Sequence, residues 1–142
     1  MLKCLTIHQP FTSAIAVGSK RTENRSARVH LRGPVALHAG LSVDWSAPDH
    51  AWLAAGMDPA ERGMPGAEFT LPLGSVIAVA DLTGCHWGNG RCCGEWGISG
   101  QWHWELSNVR PLTEPVACRG GRGWWTLPAE VESAVRAQLG EK

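Results

Sequence analysis

The segment at residues 75–82 (Ser-Val-Ile-Ala-Val-Ala-Asp-Leu) limits the possible folds more than any other part of the chain. It is nearly all apolar, contains β-branched residues and follows Gly74. Such a run is typical of a strand buried on both faces of a sheet. We therefore predict that it is the central strand of a β-rich core. Weaker strand patterns occur at residues 2–7, 23–25, 34–38, 102–106, 116–118 and from 124 onward.

Three short helices are predicted around these strands. The first begins at Pro10, which suits a first helical turn, and ends at Gly18. The second covers about residues 49–55 and is followed by Gly56, and the third follows Pro128. The apolar faces of the first and third helices are predicted to be Phe11, Ala14, Ile15 and Val17, and Val131, Val135 and Leu139. A long loop is expected at 57–72, and an irregular Gly-rich insert at 84–100.

The order of these elements predicts the fold class. Strands outnumber helices, and they are not spaced like the strands of βαβ repeats. The pattern favours an α+β, mainly β fold: a β-barrel of about five to six strands with flanking short helices. The 142 residues fit a single domain, 1–142, with one core.

Composition excludes several classes of protein. No apolar run approaches the roughly 18 residues that a membrane helix needs. The start of the chain is too short and too mixed for a secretory signal peptide. Five cysteines are an odd number, whereas the disulfide frameworks of secreted chains normally use an even number. We therefore expect a soluble cytoplasmic protein with mostly reduced cysteines and no membrane contact.

Charge is unevenly distributed along the chain, although the formal net charge is zero. Six of the thirteen Lys and Arg residues lie within residues 1–40, where Glu23 is the only acid. A neutral chain with one basic segment indicates a local anion site rather than a surface that coats DNA broadly. We predict a compact basic pocket between His8 and Arg32 that binds a nucleotide or a nucleic-acid strand.

The charged side chains of this segment suit such a ligand. Lys20 follows the expected helix end, where its ammonium can face a phosphate, and Arg25 and Arg32 carry planar forks that match phosphate oxygens. Glu23 can accept a hydrogen bond from the exocyclic amine of a base, or act as a general base. The alternative is that Lys20, Glu23 and Arg25 form a structural ion-pair network that braces the barrel.

Three successive motifs resemble the ASCH domain family of the PUA-like superfamily, in its small bacterial form. They are His8-Gln9-Pro10-Phe11, Gly18-Ser19-Lys20-Arg21-Thr22-Glu23-Asn24-Arg25 and Arg32-Gly33-Pro34-Val35-Ala36-Leu37-His38. The family pattern has a Gln-Pro-aromatic start, a Gly-x-Lys-x-x-Glu-x-Arg core and an Arg-Gly-hydrophobic-His strand. Further similar residues follow at Gly74 to Leu82, Trp102-His103-Trp104, Pro115, Gly120, Gly123 and Trp124-Trp125, so the resemblance covers nearly the whole chain.

The resemblance implies a PUA-like β-barrel with a cleft beside the first helix. Family members and their relatives are associated with RNA or DNA, and some with modified bases. It therefore implies a nucleic-acid-binding module whose basic cleft holds phosphate and a nucleobase. Some small members are hydrolases of N4-acylated cytidine and others have been described as ribonucleases, so the alternative function is a hydrolase of RNA or of an N4-acylated nucleoside.

One position separates this chain from the amidohydrolase subgroup. That subgroup resembles Gly-x-Lys-Thr-x-Thr-x-Arg, with a threonine nucleophile where this chain has Glu23. Thr22 lies one residue earlier and would point to the opposite face of an extended segment. This departure argues against amidohydrolase activity. A catalytic pair acting on RNA remains an alternative, with Lys20 stabilising charge and Glu23 taking a proton.

Further residues are predicted to contact the ligand. Gln9 and Asn24 would read a base edge, with His8 beside them. Trp87, Trp96 and Trp124 lie in Gly-rich segments from which one ring could stack on a base, near several arginines. Trp52, Trp102 and Trp104 are expected to pack in the core, as are His38 and His103. The full predicted nucleic-acid-binding set is His8, Gln9, Lys20, Glu23, Asn24, Arg25, Ser26, Arg32, Trp87, Arg91, Arg119, Arg122 and Trp124.

The cysteines and histidines of the Gly-rich insert allow a second interpretation. Cys85-His86 is followed by Cys92-Cys93 and later by His103, which suggests zinc. The spacing matches no paired C-x-x-C framework, and a structural zinc site needs four well-placed ligands. We therefore expect buried thiols in a turn, and we predict no metal and no cofactor.

Overall fold

The computed structural model describes residues 1–63, 69–89 and 92–141. Within these ranges it has six strands and three α-helices. The strands are β1 (Lys3–Gln9), β2 (Thr22–Arg25), β3 (Gly33–Val43), β4 (Ser75–Trp87), β5 (Trp102–Ala117) and β6 (Trp124–Thr126). The helices are α1 (Phe11–Ala16), α2 (Asp49–Ala55) and α3 (Ala129–Gln138). In the described ranges, no helix is both long enough and apolar enough to cross a membrane.

All six strands belong to one sheet in the order β2-β5-β4-β3-β1-β6. β1 pairs with β3 in parallel, and the other neighbours are antiparallel. β4 has a partner on each side, and Val76, Ala78 and Ala80 are fully buried. The apolar run that predicted a central strand therefore forms one.

The two longest strands extend beyond their predicted bounds. β4 continues to Trp87, so residues 84–87 are strand rather than part of an irregular insert, and β5 unites two segments predicted as separate strands. The pairing of β4 with β5 shifts register three times along its length. Such irregularities increase local twist and bend a strand, which lets one long hairpin follow the curve of the sheet.

The sheet curls so that its ends approach each other. Trp124 of the edge strand β6 stacks on Trp104 of β5, with ring centroids 5.4 Å apart and an interplanar angle of 14°. β2 and β6 stand at the two ends of the strand order, so hydrogen bonds among the described strands do not close the sheet. The predicted mainly β fold with short flanking helices is confirmed, but the described strands form a curled sheet with two edges rather than the closed barrel that was expected.

Apolar side chains fill both faces of this sheet. Leu5, Leu37 and Ile77 pack with Ile15 of α1 on the inner face. The outer face is covered by α3, whose Val131 and Val135 pack against Cys4, Ala36 and Val79. α2 forms a third cluster around the fully buried Trp52. Val17 was expected on the apolar face of the first helix, but α1 ends at Ala16 and Val17 is 67% exposed.

Candidate functional site

A cavity of about 320 Å³ lies beside α1, between the end of β1, strand β2 and the insert that joins β4 to β5. Lys20, Glu23 and Arg25 supply charged groups to its lining, and Phe11 and Ile98 supply apolar surface. This volume is at the lower end of the range for small-molecule sites, which is roughly 300–1,000 Å³. The cavity therefore suits a small organic group that presents both polar edges and an apolar face.

Glu23 lies between two cations in this lining. Its Oε2 accepts a hydrogen bond from Arg25 Nε at 2.9 Å and lies 2.8 Å from Arg25 Nη2. Its Oε1 lies 3.8 Å from Lys20 Nζ. Arg25 also donates from Nη2 to the carbonyl oxygen of Thr6 at 3.2 Å. The ion-pair network is therefore present, and the same three side chains line the cavity, so the structural and binding interpretations are compatible.

Lys20 is the most deeply buried charge of the network. The residue is 2% exposed, and its ammonium donates to the carbonyl oxygen of Thr22. The rings of Phe11 and Trp96 have centroids 5.6 and 5.5 Å from Nζ. Burial lowers the pKa of Lys20, and this effect exceeds the opposing influence of Glu23. A buried lysine with a lowered pKa in a cleft is more common at functional sites than elsewhere.

The alternation of strand β2 explains which side chains reach the cavity. Glu23 and Arg25 are two residues apart and share a face. Thr22 is buried and lies outside the lining. Asn24 borders the cavity, but its amide holds the insert: Nδ2 donates to the carbonyl oxygen of Trp96 at 2.8 Å, and Oδ1 accepts from the amide of Ile98 at 2.8 Å. Asn24 therefore builds the cavity wall, rather than offering a free amide to a base as expected.

Gln9 has a different role from the predicted one. Its side chain is fully buried and lies outside the cavity lining. Nε2 donates to Ser13 Oγ at 2.7 Å and to the carbonyl oxygen of Pro72 at 2.9 Å, while Oε1 accepts from the Ser13 amide at 3.0 Å. The amide is thus committed to fixing α1 against β1. His8, its neighbour, is exposed and does line the cavity.

The predicted pocket extended too far along the chain. Arg32 is exposed, lies outside the lining, and donates from Nη1 to the carbonyl oxygens of Val29 and Leu31 at 3.1 and 2.8 Å. Ser26 is also exposed and outside the lining. Of the three cations predicted to bind phosphate, Lys20 and Arg25 therefore line the cavity, whereas Arg32 lies on the surface.

Arg119 and Arg122 line a second cavity, of about 590 Å³. The buried His38 is part of its wall, with Nε2 2.6 Å from the carbonyl oxygen of Cys118. Thr6 contributes to both cavities and therefore lies between them. Arg119 and Arg122, which were predicted to bind the ligand together with Lys20, therefore line a different cavity from Lys20.

The predicted stacking rings also lie outside the first cavity. Trp124 uses one face against Trp104, whose indole is in turn 5.6 Å from the Arg25 guanidinium. Trp87 is 53% exposed and meets the edge of Trp102. Arg91 falls outside the described residues.

Asp44 is a site residue that the sequence did not indicate. It follows β3, and its amide donates to the carbonyl oxygen of Gln9 at 2.8 Å, which brings it to the end of β1 and into the lining. The formal charges of Lys20 and Arg25 are then balanced by those of Glu23 and Asp44. The expected excess of positive charge is therefore absent from the described part of the lining.

A separate group of side chains converges at the base of the insert. His86, Cys92, Cys93 and His103 each bring one ligand-type atom into a set whose members lie within 4.8 Å of one another. Cys85 instead packs against the main apolar cluster. All four residues were among the possible zinc ligands in the sequence, but their spacing matches no paired C-x-x-C framework. Pairing of β4 with β5 is what brings His103 next to His86.

Comparison with known proteins supports the fold. No protein-family model and no curated protein sequence matches the chain. Three crystal structures of the ASCH protein from Zymomonas mobilis are similar to it. A tyrosine-to-phenylalanine mutant has a TM-score of 0.59 and 15% identity, with 95% of this chain and 96% of that chain covered. Another structure of the ASCH protein has a TM-score of 0.56 and 16% identity, with 97% of this chain and 92% of that chain covered. A serine-to-alanine mutant has a TM-score of 0.58 and 16% identity, with 95% of this chain and 94% of that chain covered. The protein therefore has the fold of an ASCH domain, as the motifs around Lys20 and Arg25 indicated.

Proposed function

We propose that the protein binds single-stranded nucleic acid by taking one base into the cavity beside Lys20, Glu23 and Arg25. The observation that carries this proposal is the ion-pair network, with Lys20 and Glu23 buried and Arg25 half-buried, that forms part of the wall of a cavity of about 320 Å³. Proteins that recognise single strands commonly separate one base from its neighbours, hydrogen-bond its edge and pack an aromatic ring against its face.

The lining provides the groups that such a base requires. Glu23 can accept from an exocyclic amine while Arg25 holds its other oxygen, and a carboxylate has enough lone pairs for both. Arg25 has further donors for a carbonyl oxygen or ring nitrogen of the base. Phe11 offers an aromatic surface in the same lining.

The charge balance of the cavity favours a neutral group inside it. Among the described residues, two cations and two acids line it, so a phosphate dianion would gain little there. Arg21, Arg28 and Arg32 are exposed on the same segment. Arg21 and Arg32 each use Nη1 to donate to backbone carbonyl oxygens, and their remaining guanidinium nitrogens can bind phosphates of the strand outside. This arrangement predicts a modest dependence of affinity on salt, because few phosphates are neutralised.

The Arg25→Ala variant is expected to bind a short single-stranded oligonucleotide more than about tenfold more weakly than the wild type. The change removes a charged donor group from the cavity, and losing a hydrogen bond to a charged group costs about 1.5–3 kcal/mol. Arg25→Lys keeps the charge but not the planar fork, so its affinity should be intermediate. Fluorescence anisotropy at one fixed salt concentration, with single- and double-stranded DNA and RNA, measures these differences.

Arg119→Ala is the matched control, since it removes an arginine from the second cavity. It should bind within about twofold of the wild type. Circular dichroism of each variant checks that the fold is retained. Unchanged affinity in Arg25→Ala, or an equal loss in Arg119→Ala, would show that the first cavity is not the binding site.

A hydrolase is the second candidate, and the buried lysine favours it. Burial lowers the pKa of Lys20 next to Glu23, and such pairs can move protons or stabilise developing charge. The test is incubation of the protein with labelled RNA and with N4-acylated cytidines. Turnover that disappears in Glu23→Gln would support the hydrolase, whereas binding without turnover would support the recognition module.

A further inference from the structure

Four side chains at the base of the insert form a compact set of two thiols and two imidazoles. Cys92 Sγ lies 2.9 Å from His86 Nε2, 3.1 Å from His103 Nδ1 and 2.7 Å from Cys93 Sγ. Cys93 Sγ lies 3.4 Å from His86 Nε2 and 3.2 Å from His103 Nδ1. A tetrahedral zinc ion with Zn–S near 2.3 Å and Zn–N near 2.0 Å separates its ligand atoms by roughly 3.3–3.8 Å. The two ring nitrogens lie within 4.8 Å of each other. Changes of a few tenths of an ångström to about 1.5 Å in these separations would convert this set into that geometry.

The fold holds the four residues in this arrangement. His86 of β4 and His103 of β5 are direct cross-strand partners, so the sheet fixes their separation. Cys93 has φ 72°, in the left-handed region that non-glycine residues rarely adopt. This turn brings two adjacent cysteine side chains to the same side, which an extended backbone would not allow. A strained conformation that unites two potential ligands suggests a functional constraint.

Two glycines allow the insert to close over the set. A Cβ at Gly97 would lie 2.6 Å from the carbonyl oxygen of Cys92 and 2.9 Å from His103 Cε1. A Cβ at Gly88 would collide with the His103 ring. Any larger residue at either position would push the insert away from the histidine.

In each histidine, the ring nitrogen that does not face the thiols lies beside an oxygen acceptor. His103 Nε2 lies 2.7 Å from the carbonyl oxygen of Ile98, and His86 Nδ1 lies 3.1 Å from Glu105 Oε2. A carbonyl and a carboxylate only accept, so these nitrogens carry the hydrogens. A metal would then be bound through the other ring nitrogens, His103 Nδ1 and His86 Nε2, which are the two atoms that face the thiols. Metal-binding histidines are oriented in this way by carboxylates and carbonyls.

We propose that His86, Cys92, Cys93 and His103 bind one structural zinc ion. A tetrahedral set of two sulfur and two nitrogen ligands is characteristic of zinc. Four protein ligands leave no open position for a substrate, so the ion would stabilise structure rather than catalyse a reaction.

The ion would stabilise the wall of the first cavity, which Lys20 lines. Ile98, which orients His103, and Gln101 both line that cavity, and Asn24 ties the same insert to β2. A zinc ion would thus add a link between the insert and the sheet to the hydrogen bonds that Asn24 makes with the insert. The proposal concerns the metal alone and does not depend on which ligand the cavity takes.

The zinc content of the purified protein tests this proposal. The protein is expressed with added zinc, dialysed and analysed by elemental mass spectrometry, and we expect about one zinc ion per chain. Titration of the metal-free protein with cobalt(II) should give the intense visible bands of tetrahedral cobalt and thiolate-to-cobalt charge-transfer absorption. Cys92→Ser and Cys93→Ser should lose both signals. Glu105→Ala should weaken zinc affinity by about 10–100-fold in competition with a chelator.

Cys85→Ser and Cys118→Ser are the matched controls, because neither thiol belongs to the set. They should retain zinc and the cobalt spectrum. If the Cys92 and Cys93 variants do not fold, the wild-type stoichiometry and cobalt spectrum still decide the question. Wild-type protein without zinc and without a tetrahedral cobalt spectrum would overturn the proposal, as would an equal loss of metal in Cys85→Ser.

Discussion

The Glu23→Gln variant is expected to lose about 3 kcal/mol of the free energy of unfolding near neutral pH. Glutamine has nearly the size of glutamate, so the change removes a charge with little effect on packing. The Lys20 ammonium, in a residue only 2% exposed, then loses its nearby carboxylate. Removing one partner of a buried ion pair leaves an uncompensated charge, which is the costly case. Urea denaturation followed by the fluorescence of the eight tryptophans measures the loss.

The pH dependence of this loss identifies its cause. Burial lowers the pKa of Lys20 below its ordinary value of 10.5, so the unfolded chain binds this proton more strongly than the folded protein does. The contribution of Lys20 therefore makes stability rise as pH increases toward 10.5. The penalty of Glu23→Gln should be largest near neutral pH and should shrink at high pH, where Lys20 in the folded state becomes neutral.

A double variant supplies the control for this interpretation. Lys20→Met removes the buried charge, so adding it to Glu23→Gln should restore most of the lost stability. The two changes should therefore be strongly non-additive, as expected for contacting residues. A loss that is the same at every pH, and the same with methionine at position 20, would mean that the Lys20–Glu23 pair does not stabilise the fold.

Removal of zinc is expected to produce the second large effect. A ligand that binds only the folded state contributes about 4 kcal/mol when its free concentration is a thousand times its Kd. For a chain of this length, that corresponds to a fall in Tm of roughly 10 °C on adding a strong chelator. Oligonucleotide affinity should fall as well, because the insert that carries Ile98 and Gln101 would lose its attachment to the sheet.

Differential scanning fluorimetry with and without chelator gives the measurement. Cys92→Ser should already have the lower Tm and should not respond to the chelator, whereas Cys85→Ser should behave as the wild type. Restoring zinc should return the wild-type Tm. A wild-type Tm that the chelator leaves unchanged would be inconsistent with a zinc ion that stabilises the fold.

The fold was predictable where local pattern and burial agree. The run at residues 75–82 indicated a central strand because it is apolar on both faces, and α2 was placed correctly because Gly56 ends it with φ 90°. The extension of β4 through residues 84–87 was missed. Gly84, Cys85 and His86 resemble loop residues, and they become strand only because β5 pairs with them. At residues 84–87, pairing with β5 therefore determined the secondary structure, against the preference of the local sequence.

In the candidate site, too, the residues that local sequence pattern placed were predictable, and those placed by tertiary contacts were not. Lys20, Glu23 and Arg25 lie within six residues of one another, so their spacing alone brought them together in the prediction. Asp44 and Ile98 reach the cavity through tertiary contacts that no local pattern records. Gln9 has the chemistry to read a base, but its burial against Ser13 decides its role.

The most direct test of base binding in the first cavity is a titration of isotopically labelled protein with short single-stranded RNA and DNA, followed by amide chemical shifts. We predict that the largest changes occur at Phe11, Lys20, Glu23, Arg25 and Ile98, and that Glu23→Gln reduces them. Changes concentrated at Arg119, Gly120 and Arg122 would place binding in the second cavity instead. No change with any oligonucleotide at saturating concentration would contradict nucleic-acid recognition altogether.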